Sequence, residues 1–428
     1  MSSESFYESS LARGLVLKEQ GRYAEAENYF RRALSADPDN SEALNFLAGC
    51  QLQQGRSGEA LSTITDAIAR EPNEADYHAL QAIILSVLDR PKDATAAAMR
   101  GLALEPTSLF ALNALTQTYL SQKRWALAEE SARKALSLDA DDSLAANFLA
   151  LSLRMQNKWD ENAEQIRGLL SRDPEDAFTH SNAGWAALSR GDSAAAETHF
   201  RESLRLDPDN DTAREGLLQS FKGRSWIYRR YLDYCFFMEK YSGTTQLLIV
   251  VGLLVGAKVL GAILTGPYKP LGFAVLLAYT AFVLFSHVAR VVGNVFLLMD
   301  RFARYVLRPE EKLEAMAVGT VLALGCMLGI TGILAPSGGQ IFLAGILIGG
   351  SSIPLCQVFT NTARVGSVVF GCIAAYVVFV AVVCVLHGVF GAFGTSESTE
   401  EILVLMGGTA LLALVGSTWL TNVPFLRR

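Results

Sequence analysis

Proline recurs at a fixed interval in the first half of the chain. Pro38, Pro72, Pro106, Pro174 and Pro208 are separated by 34 residues or by twice that, and Ala140 fills the one slot without a proline. Ala26, Ala60, Ala94, Ala128 and Ala196 keep the same period, with Asn162 at the remaining position. The period defines six units without insertion: 7–40, 41–74, 75–108, 109–142, 143–176 and 177–210. A unit of this length cannot bury its own apolar face, so neighbours must stack and share one. Within each unit two stretches have helical periodicity, split near a glycine or a polar turn. Small residues let the two helices approach, and the proline closes one unit ahead of the next helix start. An all-α solenoid is expected over residues 1–222, with 211–222 as a capping helix.

The first unit, "GLVLKEQGRYAEAENYFRRALSADPDN", resembles the tetratricopeptide repeat. Gly14, Gly21, Tyr23, Ala26, Phe30, Ala33 and Pro38 carry the likeness, and the last unit keeps Gly184, Gly191, Ala196, Phe200 and Pro208. Trp125 and Trp159 keep an aromatic in the phase of Tyr23, whereas Ser57, Pro91 and Ser193 do not. The resemblance implies that the first helix of each unit lines an inner groove. Asn45, Asn113 and Asn147 share one phase of that wall, and Asn182 sits one residue out of it. An amide side chain offers donors and an acceptor to the backbone of an extended peptide. Phe110, Phe178, Leu144, Leu151, Met155 and Trp185 are expected to face the same groove. The expected partner is an extended, partly apolar peptide of another protein. The alternative is that the Asn residues cap or decorate turns and the aromatics close the stack. The carboxylate clamp of chaperone-binding relatives needs Lys and Arg in the groove, and few fall there.

The halves differ in charge. Residues 1–222 carry 23 Lys+Arg against 34 Asp+Glu, and residues 223–428 carry 14 against 9. An acidic array argues against nucleic acid as partner, because phosphate binding needs clustered basic residues. The beginning lacks a basic region followed by an apolar run, so it does not read as a secretory signal, and Ser2 stands where myristoylation needs glycine. The six cysteines are scattered and form no disulfide framework.

Six apolar stretches mark the second half: 245–265, 270–289, 315–335, 341–360, 365–387 and 402–423. Each is near the ~20 residues that a spanning helix needs. A six-helix membrane bundle over 244–428 is therefore expected after the solenoid. Basic residues alternate with their near-absence between the stretches. Arg224, Arg229, Arg230 and Lys240 precede the first; Arg290, Arg301, Arg304, Arg308 and Lys312 follow the second; Arg364 follows the fourth; Arg427 and Arg428 end the chain. The positive-inside rule then places both termini in the cytoplasm of a multi-pass, bacterial-type inner-membrane protein.

The join, "GRSWIYRRYLDYCFFMEKYS" over 223–242, holds seven aromatic residues among six charges. It reads as an interfacial helix over 223–243, with Trp226 and Tyr231 at the headgroup boundary and Arg229 and Arg230 on anionic lipid heads. An ordinary capping helix packed on the last repeat is the alternative. Residues 291–308 read as a second interfacial helix. The segment before the first span and "NVFLLMDRFARYVL" resemble bacterial membrane proteins with cytoplasmic repeats, a likeness that brings no activity with it.

Lys258 is the cation set well inside a span, where charge costs about 2.5–3.5 kcal/mol, so it marks either a functional site or a snorkelling side chain. His287 falls at a span boundary. Cys384 and His387 offer two ligands where a metal site needs three or four. Gly252 and Gly256, Gly325 and Gly329, and Gly345 and Gly349 allow close helix contact within the bundle or between copies. Pro354 is expected to kink the fourth span. No phosphate loop, nucleophile elbow, HExxH or CxxC occurs. The expected function is a membrane-anchored scaffold, without enzymatic activity, cofactor or metal, that binds a protein partner. A transporter regulated by its repeats and a membrane-complex assembly factor are the alternatives.

Overall fold

The 34-residue period becomes a helical hairpin. The structure, a computed structural model, describes residues 3–241, 243–263, 271, 288–300, 303–335, 339–361, 363–390, 397–420 and 426, and every regular element among them is a helix. The first hairpin is α1 (Ser3–Glu19) with α2 (Tyr23–Ala36). The next are α3 (Ser41–Gln53) with α4 (Ser57–Arg70), α5 (Ala75–Val87) with α6 (Pro91–Leu104), and α7 (Leu109–Ser121) with α8 (Trp125–Leu138). Then come α9 (Ser143–Met155) with α10 (Trp159–Arg172), and α11 (Ala177–Ser189) with α12 (Ser193–Leu206).

One position in each unit starts the first helix. Asn40, Ser108 and Asp142 accept the amide N–H three residues on, at 2.9, 3.1 and 3.0 Å, and Asp176 accepts from Phe178 and Thr179. Each bond satisfies a donor that the helix leaves orphaned. The turn inside each hairpin needs a left-handed residue. Gly21, Gly55 and Gly191 supply it at φ 72°, 76° and 82°, and Asp89, Lys123 and Asn157 adopt φ 56°, 57° and 60° at the same phase. Gly14 and Gly184 are fixed by packing instead: a Cβ at either would lie 2.6 Å from the ring of Phe30 or Phe200. The alanines of the period, Ala26, Ala60, Ala94, Ala128 and Ala196, are fully buried between helices.

The chain divides into two compact units. The first holds Met1–Arg190, Thr198–Ala213 and Phe237–Gly243; the second holds Gly191–Glu197, Arg214–Phe236 and Thr244–Arg428. In the first, polar pairs tie each hairpin to the next. Glu27 accepts from Gln54 at 2.8 Å and from Arg31 and Arg56; Glu129, 102 residues on, accepts from Gln156, Lys158 and Arg133. Burial alone would raise both carboxyls, but these donors outweigh it and hold them below the usual range.

Most of α13 (Asp211–Lys222) and of α14 (Trp226–Glu239) belongs to the second unit, and both keep the repeat's hairpin pattern. Tyr228 donates to Gln219 across the pair at 3.2 Å, and Arg224 pairs with Glu197 at 2.5 Å, the two being 27 residues apart like Glu27 and Gln54. Residues 211–222, expected as a terminal cap, are thus the first helix of a further hairpin.

There follow α15 (Gly243–Ile263), α16 (Val288–Met299), a short 3-10 turn (Ala303–Tyr305), α17 (Pro309–Leu334), α18 (Gly339–Gly350), α19 (Ser352–Thr360), α20 (Arg364–Phe390) and α21 (Glu397–Leu420). Among the described residues four segments are long and apolar enough to cross a membrane: Pro309–Leu334, Gly339–Thr360, Arg364–Val389 and Glu401–Thr418. Four of the six expected spans are thus matched among the described residues. The first expected span coincides with α15, which is not among the four, and most of the second lies outside the described residues. Regular helix is interrupted at Ser351, three residues before Pro354, which has no N–H to bond the Gly350 carbonyl; Ser351 itself keeps a helical φ of −61°. The expected interfacial helix over 291–308 is helical only to Met299; residues 301 and 302 lie outside the described set.

Glycine sets the closest approach in this unit. A Cβ on Gly325 would sit 2.5 Å from the Gly349 nitrogen, and one on Gly345 would sit 2.4 Å from the Gly329 nitrogen. These two small-residue pairs are used between α17 and α18 of one chain. A Cβ on Gly252 or Gly256 of α15 would have nothing within 4 Å among the described residues.

Candidate functional site

The first helices of the array present two kinds of residue on the expected groove wall. Phe110, Leu144 and Phe178 occupy the second position of α7, α9 and α11 and remain exposed, at 39%, 42% and 38%. Large apolar side chains left in water at one repeated position cost free energy unless a partner covers them. Trp185, two turns along α11 from Phe178, is half-buried, with its ring edge-on to Phe200 at 5.4 Å.

The asparagines behave differently. Asn113 is buried and donates to Asp142 at 2.7 Å; Asn147, 1% exposed, donates to Asp176 and Thr179 at 3.1 Å. Asn182, also buried, donates to the Asn147 oxygen at 2.9 Å. Asp142 and Asp176 are the capping residues of α9 and α11. Asn113 and Asn147 therefore lock the helix start of the following repeat, Asn182 ties back to Asn147, and Asn147 has no amide group left for a peptide. Asn45 is half-buried, and its oxygen has no hydrogen-bond partner. The structure brings Asn147 and Asn182 together but keeps them beneath the surface that Phe110 and Phe178 form.

A second set of contacts had no sequence signal. Residues 239–241 lie against the turns of the fourth and fifth hairpins. Trp125 donates its indole N–H to the Lys240 carbonyl at 2.9 Å, Lys123 donates to the Tyr241 carbonyl at 2.8 Å, and Lys240 reaches Asn157 at 2.6 Å. Arg154, buried and bonded to Ser189, lies 3.9 Å from Glu239. Burial lowers its pKa, and Glu239 opposes that shift. The partners are more than 80 residues apart, beyond the reach of any repeat pattern.

The residues expected at a lipid surface lie in the second unit. Trp226 is 75% exposed, Arg229 and Arg230 are exposed, and Tyr231 is half-buried. Tyr228 and Leu232 of the same helix are buried, so one face of α14 packs inward. Burial raises the phenols of Tyr228 and Tyr231. It lowers Lys222, buried beside Tyr228, to about 8. Deeper in the unit, Arg290 holds the buried carboxylate of Glu314 at 2.8 Å, and Arg214 holds Glu311 at 3.0 Å.

Lys258 is exposed on α15. A cavity of about 380 Å³ in the second unit is lined by Leu322, Gly325, Ile346, Ile353, Leu411 and their neighbours, with no charged side chain. Cys384 is buried, and no group of three metal-ligating side chains occurs among the described residues. His287 lies outside them.

Hairpins stacked in one register, a glycine or left-handed turn in each, and a repeated capping residue define a helical-repeat solenoid. The tetratricopeptide repeat family matches residues 17–84, 113–177 and 181–221. Residues 17–221 are thus built of tetratricopeptide repeats, and such repeats are protein-interaction scaffolds. Among solved structures it is similar to the Cut9–Hcn1 hetero-tetramer of the APC/C, with 21% identity and a TM-score of 0.43; the match covers 49% of this chain and 42% of that one. It is also similar to pilF of Pseudomonas aeruginosa, with 18% identity and a TM-score of 0.41, over 53% of this chain and 100% of that one. A tetratricopeptide repeat protein of Parabacteroides merdae matches with 19% identity and a TM-score of 0.42, over 56% and 96%. The search of curated proteins found no match.

Proposed function

We propose that this chain is a membrane-anchored scaffold whose repeats capture an extended, partly apolar segment of a partner protein. The exposed row of Phe110, Leu144 and Phe178 carries the reading. Three large apolar residues at one repeated position form a strip that a peptide can cover. Trp185 borders the strip, and Asn113, Asn147 and Asn182 act beneath it by holding successive repeats in register. The anchor is the second unit. Its helices turn Leu313, Met316, Met327, Ile330 and Ile333 outward, a surface suited to lipid rather than water. On this reading Trp226, Arg229, Arg230 and Tyr231 meet the headgroups on the cytoplasmic side of an inner membrane, and both termini face the cytoplasm. Lys258 snorkels toward an interface.

The test is photo-crosslinking in cells from Phe178 and Trp185, with an exposed position on a second helix as control. One dominant protein captured from the groove, and lost in a Phe110→Ser/Phe178→Ser variant, is the expected result. Equal capture from groove and control positions would remove the groove from the proposal. Alkaline carbonate extraction tests the anchor: the chain stays with the membrane pellet.

A further inference from the structure

The second residue of each 34-residue unit reads, in chain order, Glu8, Glu42, Asp76, Phe110, Leu144 and Phe178. All six are exposed. The row is acidic over the first three hairpins and apolar over the next three. No ion pair accounts for the acidic half, although Glu42 and Asp76 sit in the first turn of their helices, where the helix dipole favours a carboxylate. Glu8 and Glu42 have no hydrogen-bond or ion-pair partner among the described residues, and Asp76 only meets the Ser108 hydroxyl at 3.5 Å. Other acids of the array, such as Glu25, Glu59 and Asp93, are held by an arginine three residues away on the same hairpin. Lys18, at the end of α1, is placed over the ring of Phe46 at 4.8 Å rather than on an acid. The phenol of Tyr7 is raised by burial and, next, by the Glu42 carboxylate.

Packed helices lie about 8–10 Å apart, so six such positions span roughly 40–50 Å. An extended chain advances about 3.3 Å per residue, so one segment of about 12–15 residues covers the row. We infer that the groove takes a single extended partner segment of block character, with basic residues over Glu8, Glu42 and Asp76 and apolar residues over Phe110, Leu144 and Phe178. The charge change halfway along fixes the register and direction of the segment, since reversing it sets apolar side chains on carboxylates and cations on phenylalanines. This inference rests on the peptide-capturing reading above.

The experiment uses the full chain in nanodiscs of zwitterionic lipid, with empty nanodiscs as blank. Three labelled synthetic peptides of about 14 residues are compared by anisotropy. One has a lysine-rich half followed by a leucine-rich half, one has the same residues evenly mixed, and one is apolar with neutral polar spacers. The expected result is that the block peptide binds about tenfold tighter than the mixed one, with an affinity that falls as salt rises. Glu42→Gln with Asp76→Asn removes that advantage and the salt dependence but leaves the apolar peptide unchanged. Phe110→Ser with Phe178→Ser weakens both. Equal affinity for block and mixed peptides, with the serine pair still weakening both, overturns the block register and leaves the groove standing. Binding that neither pair of substitutions alters overturns the groove as well. All four substituted positions are exposed, and far-ultraviolet circular dichroism verifies that each variant keeps its helices.

Discussion

The array and the apolar unit solve one packing problem with opposite surfaces. In the array, alanines such as Ala26, Ala60 and Ala128 fill the interior, and charged residues face outward. In the apolar unit, Leu313, Met316, Met327 and Ile330 face outward, while Glu314, Asn294, Ser351, Ser352 and Ser417 are buried. Both bring helices close through small residues, alanine in one and glycine in the other. The contrast teaches that helix-on-helix geometry is independent of solvent, whereas the choice of outward face is set by it. The row of Phe110, Leu144 and Phe178 stands out because it carries the apolar unit's kind of surface on the array.

The contrast can be broken most strongly at the buried charge. Replacing Arg290 with Met leaves Glu314 without its ion-pair partner and is expected to cost about 3 kcal/mol in the apolar unit. Denaturant titration in micelles, with probes in each unit, checks it. A shift confined to the apolar unit sharpens the comparison; an equal shift in both shows that they unfold together. Gly184→Ala forces a methyl into the Phe200 ring and is expected to cost about 2 kcal/mol in the array's thermal transition. An unchanged melting temperature would mean that the ring moves freely.

Glu129→Gln is next, at about 1–2 kcal/mol near neutral pH, since it removes a buried acceptor of charged donors. The Glu129 carboxyl is held below its ordinary value of 4.5 in the folded state. Its contribution is therefore fully present above that value and is lost as pH falls through the lower folded one. The gap between wild type and variant should close as the solution is acidified below about pH 4, as read from melting curves. The smallest effect is a gain. Asp89 adopts a left-handed conformation where Gly21 and Gly55 serve in other hairpins, so Asp89→Gly should stabilise the array by less than about 1 kcal/mol.

The period alone located the array's helices closely. Units begun at 41, 75, 109, 143 and 177 start at the first residues of α3, α5, α7, α9 and α11. The exposure of Phe110, Leu144 and Phe178 was legible too, because the period gives the phase of each residue around its helix, but Met155, expected on the same wall, is buried. The Asn row was placed on the right helices with the wrong task. Phase says which way a side chain points but not what the neighbouring repeat offers it, and the neighbour offers the capping carboxylates Asp142 and Asp176. Apolar run length likewise gave a span over 341–360 but not the interruption at Ser351, because hydropathy records composition and not backbone continuity; Pro354 was the residue that marked it.

The sequence by itself determined the repeat, its register, the helix starts and the apolar character of the second half. Each depends on residues within one 34-residue unit or one helical run, where local propensity and periodicity decide. The tertiary structure decided which polar groups are left for a partner, that 239–241 rest on the turns at Lys123, Trp125 and Asn157, and that Gly325 and Gly329 meet Gly345 and Gly349. Those contacts join segments far apart in the chain or set by three-dimensional approach. Their free energy comes from the partner's position, which the local sequence does not encode.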